Sequence, residues 1–100
     1  MPRYSIGFPS GSVEKHFLKE LSKLDKTDMA RIRRAIESLA DNPRPQGDRV
    51  KPLRPPLSIY SLVATHRLRV GDYRILYDID DGSRRVVLLS VRRRSEKTYR

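Results

Sequence analysis

The sequence contains no cysteine and no tryptophan. Without a thiol, disulfide bonds, thiolate nucleophiles and cysteine-held metals are excluded. Only two histidines occur, His16 and His66, fifty residues apart, a spacing with no metal-binding signature. The acidic residues are scattered, without the paired carboxylates of an acid–base site, and no glycine-rich phosphate loop is present. No apolar run approaches the roughly 20 residues needed to cross a bilayer. Met1-Pro2-Arg3-Tyr4 does not open a signal peptide. The expectation is a cytoplasmic protein with no cofactor, no metal and no membrane partner.

Acidic charge is also scarce relative to basic charge. The 100 residues carry 22 Lys and Arg against 12 Asp and Glu, a net charge of +10. The excess is uneven. Residues 1–50 hold 10 basic and 7 acidic side chains, whereas residues 51–100 hold 12 and 5. Ten of those 12 are arginines, whose planar forks of donors match phosphate oxygens. A basic surface of this strength points to a polyanionic partner, since Lys and Arg displace counterions from phosphates. A chain this long builds one core, so residues 1–100 are expected to form a single domain.

The apolar pattern gives the elements. Tyr4, Ile6 and Phe8 alternate with small residues as a short strand. Pro9-Ser10-Gly11-Ser12 breaks it, and Ser12 is a candidate helix cap. Val13, Phe17, Leu18, Leu21 and Leu24 have helical spacing. Asp25-Lys26-Thr27-Asp28 interrupts them and offers caps for a second helix, whose stripe is Met29, Ile32, Ile36 and Leu39. That helix should end near Asn42-Pro43. Between Asn42 and Pro56 lie five of the 7 prolines, which read as an extended connection. Ile59 to Val70, Tyr73 to Asp80 and Arg84 to Arg92 read as strands, with hairpin turns at Gly71-Asp72 and Asp81-Gly82. The expected fold is α+β: an N-terminal strand, a two-helix hairpin, then a three-stranded antiparallel meander with both helices on one sheet face. The other face is left free to be polar, and alternation sets Arg67 and Arg69 on one side of their strand.

The segment from His66 to Ile79, His66-Arg67-Leu68-Arg69-Val70-Gly71-Asp72-Tyr73-Arg74-Ile75-Leu76-Tyr77-Asp78-Ile79, resembles the middle hairpin of the RelE-type toxins of the RelE/ParE-like superfamily. Val86 to Arg94, followed by Tyr99-Arg100, resembles the family's last strand and C-terminal motif. The element order extends the resemblance over essentially the whole chain. It implies a RelE-like fold and the toxin of a type II toxin–antitoxin system. It further implies a metal-independent endoribonuclease (mRNA interferase) that cuts mRNA, commonly in the ribosomal A site, and is inhibited by a cognate acidic, RelB-like antitoxin. Relatives of this type lack the usual His/Glu acid–base pair and use basic side chains and a tyrosine.

RNA cleaves when its 2′-oxygen attacks the adjacent phosphorus and the 5′-oxygen leaves. Fixed cations aimed at the phosphoryl oxygens stabilise that transition state more than the ground state, and arginine can bind two oxygens at once. By resemblance, Arg74 holds the scissile phosphate; otherwise it is a strand arginine. Arg67 matches a basic position where relatives use lysine for proton transfer. Since arginine deprotonates poorly, Arg67 is expected to orient the backbone and stabilise charge. Thr65 stands where some relatives carry a further lysine. Arg94 matches the arginine assigned to the leaving oxygen, with the register open by one, so that Arg93 can exchange roles with it. Tyr99 matches the C-terminal tyrosine, as a stacking platform or a base. Arg69, Arg92, Arg93, Lys97 and Arg100 are expected to contact RNA of the mRNA or the ribosome, or else to solvate the surface or meet the antitoxin. His66 is expected to pack and His16 to be solvated. The alternatives are a ParE-like gyrase inhibitor, which generally has longer helices and lacks the arginine/tyrosine set, and a non-catalytic or decayed nucleic-acid-binding homologue.

Overall fold

A computed structural model describes residues 3–59 and 61–93. In chain order the elements are β1 (Ser5–Gly7), α1 (Gly11–Ser22), α2 (Lys26–Ser38), β2 (Val50–Ile59), β3 (Leu62–Val70), β4 (Tyr73–Asp80) and β5 (Arg85–Arg93). The strands form one mixed sheet in the order β1-β5-β4-β3-β2. β1 runs parallel to β5, and the other three pairings are antiparallel.

The helices start where short polar side chains satisfy their first amides. Ser10, rather than Ser12, caps α1 by accepting from Val13 N at 3.3 Å. Asp25 caps α2 by accepting from Asp28 N at 2.8 Å, which also places a carboxylate at the positive end of the helix dipole. α1 buries Val13 and Phe17, and α2 buries Ile32 and Ile36. Leu18 leaves the expected stripe and is exposed.

Two expectations for the sheet need correcting. The proline-rich stretch is not merely a connection: from Val50 it is β2, so the meander has four strands, not three. Ile59 to Val70 is not one strand either, but the end of β2 and, after a tight reversal, β3. β2 tolerates Pro52, Pro55 and Pro56 because it is an edge strand, where a missing N–H breaks no ladder on the solvent side. Its pairing with β3 jumps register between Pro52 and Leu57, so the Arg54-Pro55-Pro56 segment is accommodated as an irregularity. Gly71-Asp72 is the expected two-residue turn, with Gly71 at φ 57° and Val70 paired to Tyr73. The β4–β5 turn is longer than expected: Asp80 pairs with Arg85, and Arg84 takes the left-handed conformation at φ 54°.

The main core lies between the helices and one sheet face. Phe17, Ile32, Ile36 and Leu39 meet Leu68, Ile75, Tyr77, Val86, Leu88 and Val91 there. A second apolar cluster, Ile59, Ala64, Leu76 and Leu89, contains strand residues only and lies on the helix-free side of the sheet. Tyr77 Oη, buried in the main core, donates to Pro43 O at 2.8 Å, and burial pushes its phenol well above the ordinary range. Asp81 ties three segments together. Arg44 grips it with two bonds of 3.1 and 2.7 Å, and Tyr4 Oη donates to it. The hydrogen bonds from Arg44 and Tyr4 hold the Asp81 carboxyl down at about 2.

Candidate functional site

Alternation on β4 sends Tyr73, Ile75 and Tyr77 to the helices and Arg74 and Leu76 to the helix-free face. Paired residues in a sheet project to the same side. Arg74 pairs with Arg69 on β3 and with Arg92 on β5. Three arginines from three adjacent strands therefore form one transverse row, with partners' Cα atoms about 5 Å apart. Arg67 lies two residues along β3 on the same face, opposite Leu76. It reaches back towards β2, its Nη1 lying 3.5 Å from Arg49 O.

All four arginines are partly buried. Nε of Arg69 is sealed from solvent and has no hydrogen-bond acceptor among the described residues. Arg92 Nε donates to Ser90 Oγ at 3.3 Å, which fixes its direction along the strand.

The row includes Arg92 rather than Arg93 because of an irregularity in β5. Leu76 pairs with Ser90 but Tyr77 pairs with Leu88, leaving Leu89 as an extra residue. This shift puts Val91 in the main core and Arg92 on the helix-free face. Arg93 is carried to the helix side instead, where its guanidinium lies 5.9 Å from the ring centre of Tyr73. There it lines a cavity with Glu20, Lys23, Asp25 and Asp28. The structure does not bring Arg93 to the arginine row. Arg94, Lys97, Tyr99 and Arg100 lie outside the described residues.

Thr65 has a bonded role. Its hydroxyl donates to Asp78 Oδ1 at 2.7 Å and lies 3.0 Å from His66 Nδ1. His66 packs over Tyr77, ring centres 5.7 Å apart, as expected of a packing residue. Burial, assisted by the charge of Arg44, lowers its proton affinity.

Two positions escaped the sequence reading. Lys51 pairs with Arg67 and adds a cation from β2 to the same face; the prolines around it had hidden the strand. His16, on α1, lines a cavity of about 340 Å3 with Glu20, Ser58, Ile59, Leu89, Ser90, Val91 and Arg92. Helical spacing places His16 on the polar side of α1 but cannot show which sheet edge that side borders. β2 and β5 are separated in the sheet order, yet both line this cavity, so the sheet curls over its helix-free side. Among the described residues, no group of three or more His, Asp or Glu side chains is arranged to hold a metal ion. No described helix is long and apolar enough to cross a membrane.

Comparison with known proteins identifies the family. Residues 12–98 match the family described as ParE toxin of type II toxin–antitoxin system, parDE. The chain belongs to this toxin family of the RelE/ParE superfamily. Within the superfamily it is RelE-like. It is 37% identical over 78 residues to Toxin RelE of Mycobacterium tuberculosis, covering 77% of this chain and 72% of that protein. It also matches the toxin–antitoxin complex RelBE2 of M. tuberculosis at 30% identity and a TM-score of 0.66, covering 96% and 97% of the two chains. The archaeal RelE–RelB complex from Pyrococcus horikoshii shares the fold, with a TM-score of 0.72, 24% identity and coverage of 96% and 99%. The RelE-like toxin described here thus shares a two-helix, mixed-sheet architecture with those structures, and the arginine row lies on the sheet face opposite the main core, with α1 bordering it at Arg92.

Proposed function

We propose that this RelE-like toxin is an endoribonuclease that cleaves mRNA, in the ribosomal A site, on the helix-free face of its sheet. The observation that carries this reading is the cross-strand register Arg69–Arg74–Arg92, with Arg67 beside it. In the proposed complex, Arg74 at the centre of the row grips the scissile phosphate, and Arg69 and Arg92 flank it. Arg67 and Lys51 hold the adjoining backbone. As the 2′-oxygen attacks, negative charge accumulates on the phosphoryl oxygens, and the preorganised guanidinium groups stabilise it without having to reorganise. Arg94 and Tyr99 are proposed to serve the leaving oxygen and a neighbouring base. No metal is required for these roles.

The proposed regulator is a small acidic antitoxin. The complexes matched in M. tuberculosis and P. horikoshii pair RelE with RelB. A net charge of +10 and the exposed Leu18 and Val63 suit a partly disordered acidic segment that folds as it binds.

The match to the ParE toxin family supports a second reading, inhibition of DNA gyrase. The helices favour the first: α1 has 12 residues and α2 has 13, short for the gyrase-inhibitor branch. Cell-free translation with mapping of mRNA ends, run beside a gyrase supercoiling assay, separates the two. The proposal expects new mRNA ends and undisturbed supercoiling. Blocked supercoiling with intact mRNA would replace it with the second reading.

A further inference from the structure

The arginine row can neutralise a phosphate but cannot accept a proton at neutral pH, because guanidinium groups remain charged. Thr65, nearby on β3, has no basic group and is bonded to Asp78. Apart from Lys51, which is ion-paired with Asp48, the described residues of the row and its neighbours offer no acceptor for the proton of the attacking 2′-hydroxyl. Imidazole is the side chain whose charge changes between pH 5 and 8 without special perturbation. His66 is directed to the core against Tyr77. His16 is not: it shares the cavity of about 340 Å3 with Ser90 and Arg92.

The route from row to cavity is short. Arg92 is both the β5 member of the row, paired with Arg74, and a wall of the cavity that holds His16. A nucleotide whose phosphate spanned Arg74 and Arg92 would lie against a residue, Arg92, that also lines the cavity of His16 and Ser90. The charged groups facing His16 there are Glu20, one turn along its own helix, and Arg92 on β5; β2 contributes Ser58 and Ile59, neither titratable. Glu20 is anchored, its Oε2 3.0 Å from Lys23 Nζ.

We infer that His16 is the proton-transfer residue of RNA cleavage, working from α1 across the cavity it shares with Arg92. This inference rests on the nuclease reading above. In the step, neutral imidazole removes the 2′-hydroxyl proton as the 2′-oxygen bonds to phosphorus. The bond from phosphorus to the 5′-oxygen breaks, leaving a 2′,3′-cyclic phosphate. The departing 5′-oxygen takes a proton from water, and the imidazolium returns its proton to the resulting hydroxide.

The test is the single-turnover cleavage rate of a defined mRNA, measured from pH 5.5 to 8.5 for the wild type, His16→Ala and Arg74→Ala, with RNA affinity measured for each. The inference expects the wild-type rate to rise with pH as the general base loses its proton. His16→Ala should lose about a hundredfold or more in rate and that rising limb, bind RNA within a few-fold of wild type, and regain rate when free imidazole is added. Because His16 is exposed on a helix, alanine there should not unfold the protein, and imidazole rescue would itself show a folded site. A His16→Ala protein with wild-type rate and pH profile overturns the role of His16 while leaving the nuclease reading intact, provided Arg74→Ala is slowed about a hundredfold or more. A wild type that cleaves no RNA at any pH removes both.

Discussion

Each decisive side chain is set by the strand position it occupies. Arg74 is fixed between Arg69 and Arg92 by backbone pairing, so removing its side chain should leave the sheet intact and subtract one oxyanion contact. Losses of this kind are about 3 kcal/mol, or 10²–10³ in rate. Tyr77→Phe tests the core instead. It strands the Pro43 carbonyl that the phenol satisfies at 2.8 Å and should cost about 1–3 kcal/mol in urea unfolding, with RNA affinity little changed. Asp81 governs behaviour in acid. Its carboxyl is held at about 2, below the value near 4 of an unfolded chain. The stability it contributes is therefore complete above about pH 4 and is lost as the pH falls towards 2. Asp81→Asn should flatten the fall in thermal midpoint across that window; an unchanged acid profile would show that the clamp with Arg44 and Tyr4 does not couple to folding.

At the scale of elements, the helices and the β3–β4 hairpin were legible because their signals are local, although α2 ends at Ser38, short of the expected Asn42-Pro43. The Asp25 cap was readable from its position before an apolar stripe, and Asp25→Ala should cost about 1 kcal/mol, read as a lower midpoint in denaturant. β2 was hidden because its three prolines argue against a strand, and only its place at the sheet edge makes them tolerable. With β2 concealed, Lys51 could not be placed beside Arg67. The phase of β5 was hidden for a different reason. Val86, Val87, Leu88 and Leu89 are apolar on both faces, so alternation had no marker, and the extra residue at Leu89 decides that Arg92, not Arg93, joins the row. Arg67, Arg69 and Arg74 needed only strand alternation and a two-residue turn. His16 needed the tertiary packing of α1 beside β5, which no spacing in the chain records.

For the whole molecule, the charge excess becomes directional. The helix side buries the larger core, and the opposite side carries Lys51, Arg67, Arg69, Arg74 and Arg92 in adjoining positions. If RNA binds here as proposed, five cations on a single strand predict that log affinity falls with log salt at a slope of about −3.5. Arg69→Ala should reduce that slope by roughly 0.7, whereas a flat salt response would mean that RNA does not lie along this face. The most direct measurement of the account is the single-turnover rate at saturating protein for wild type and Arg74→Ala on one mRNA, offered free and in the ribosomal A site, with the product ends identified. The account predicts 2′,3′-cyclic phosphate and 5′-hydroxyl ends, and a rate about 10²–10³ lower in the variant while RNA affinity falls only a few-fold. Equal cleavage rates for the two proteins, or a rate loss no greater than the loss of binding, would contradict it.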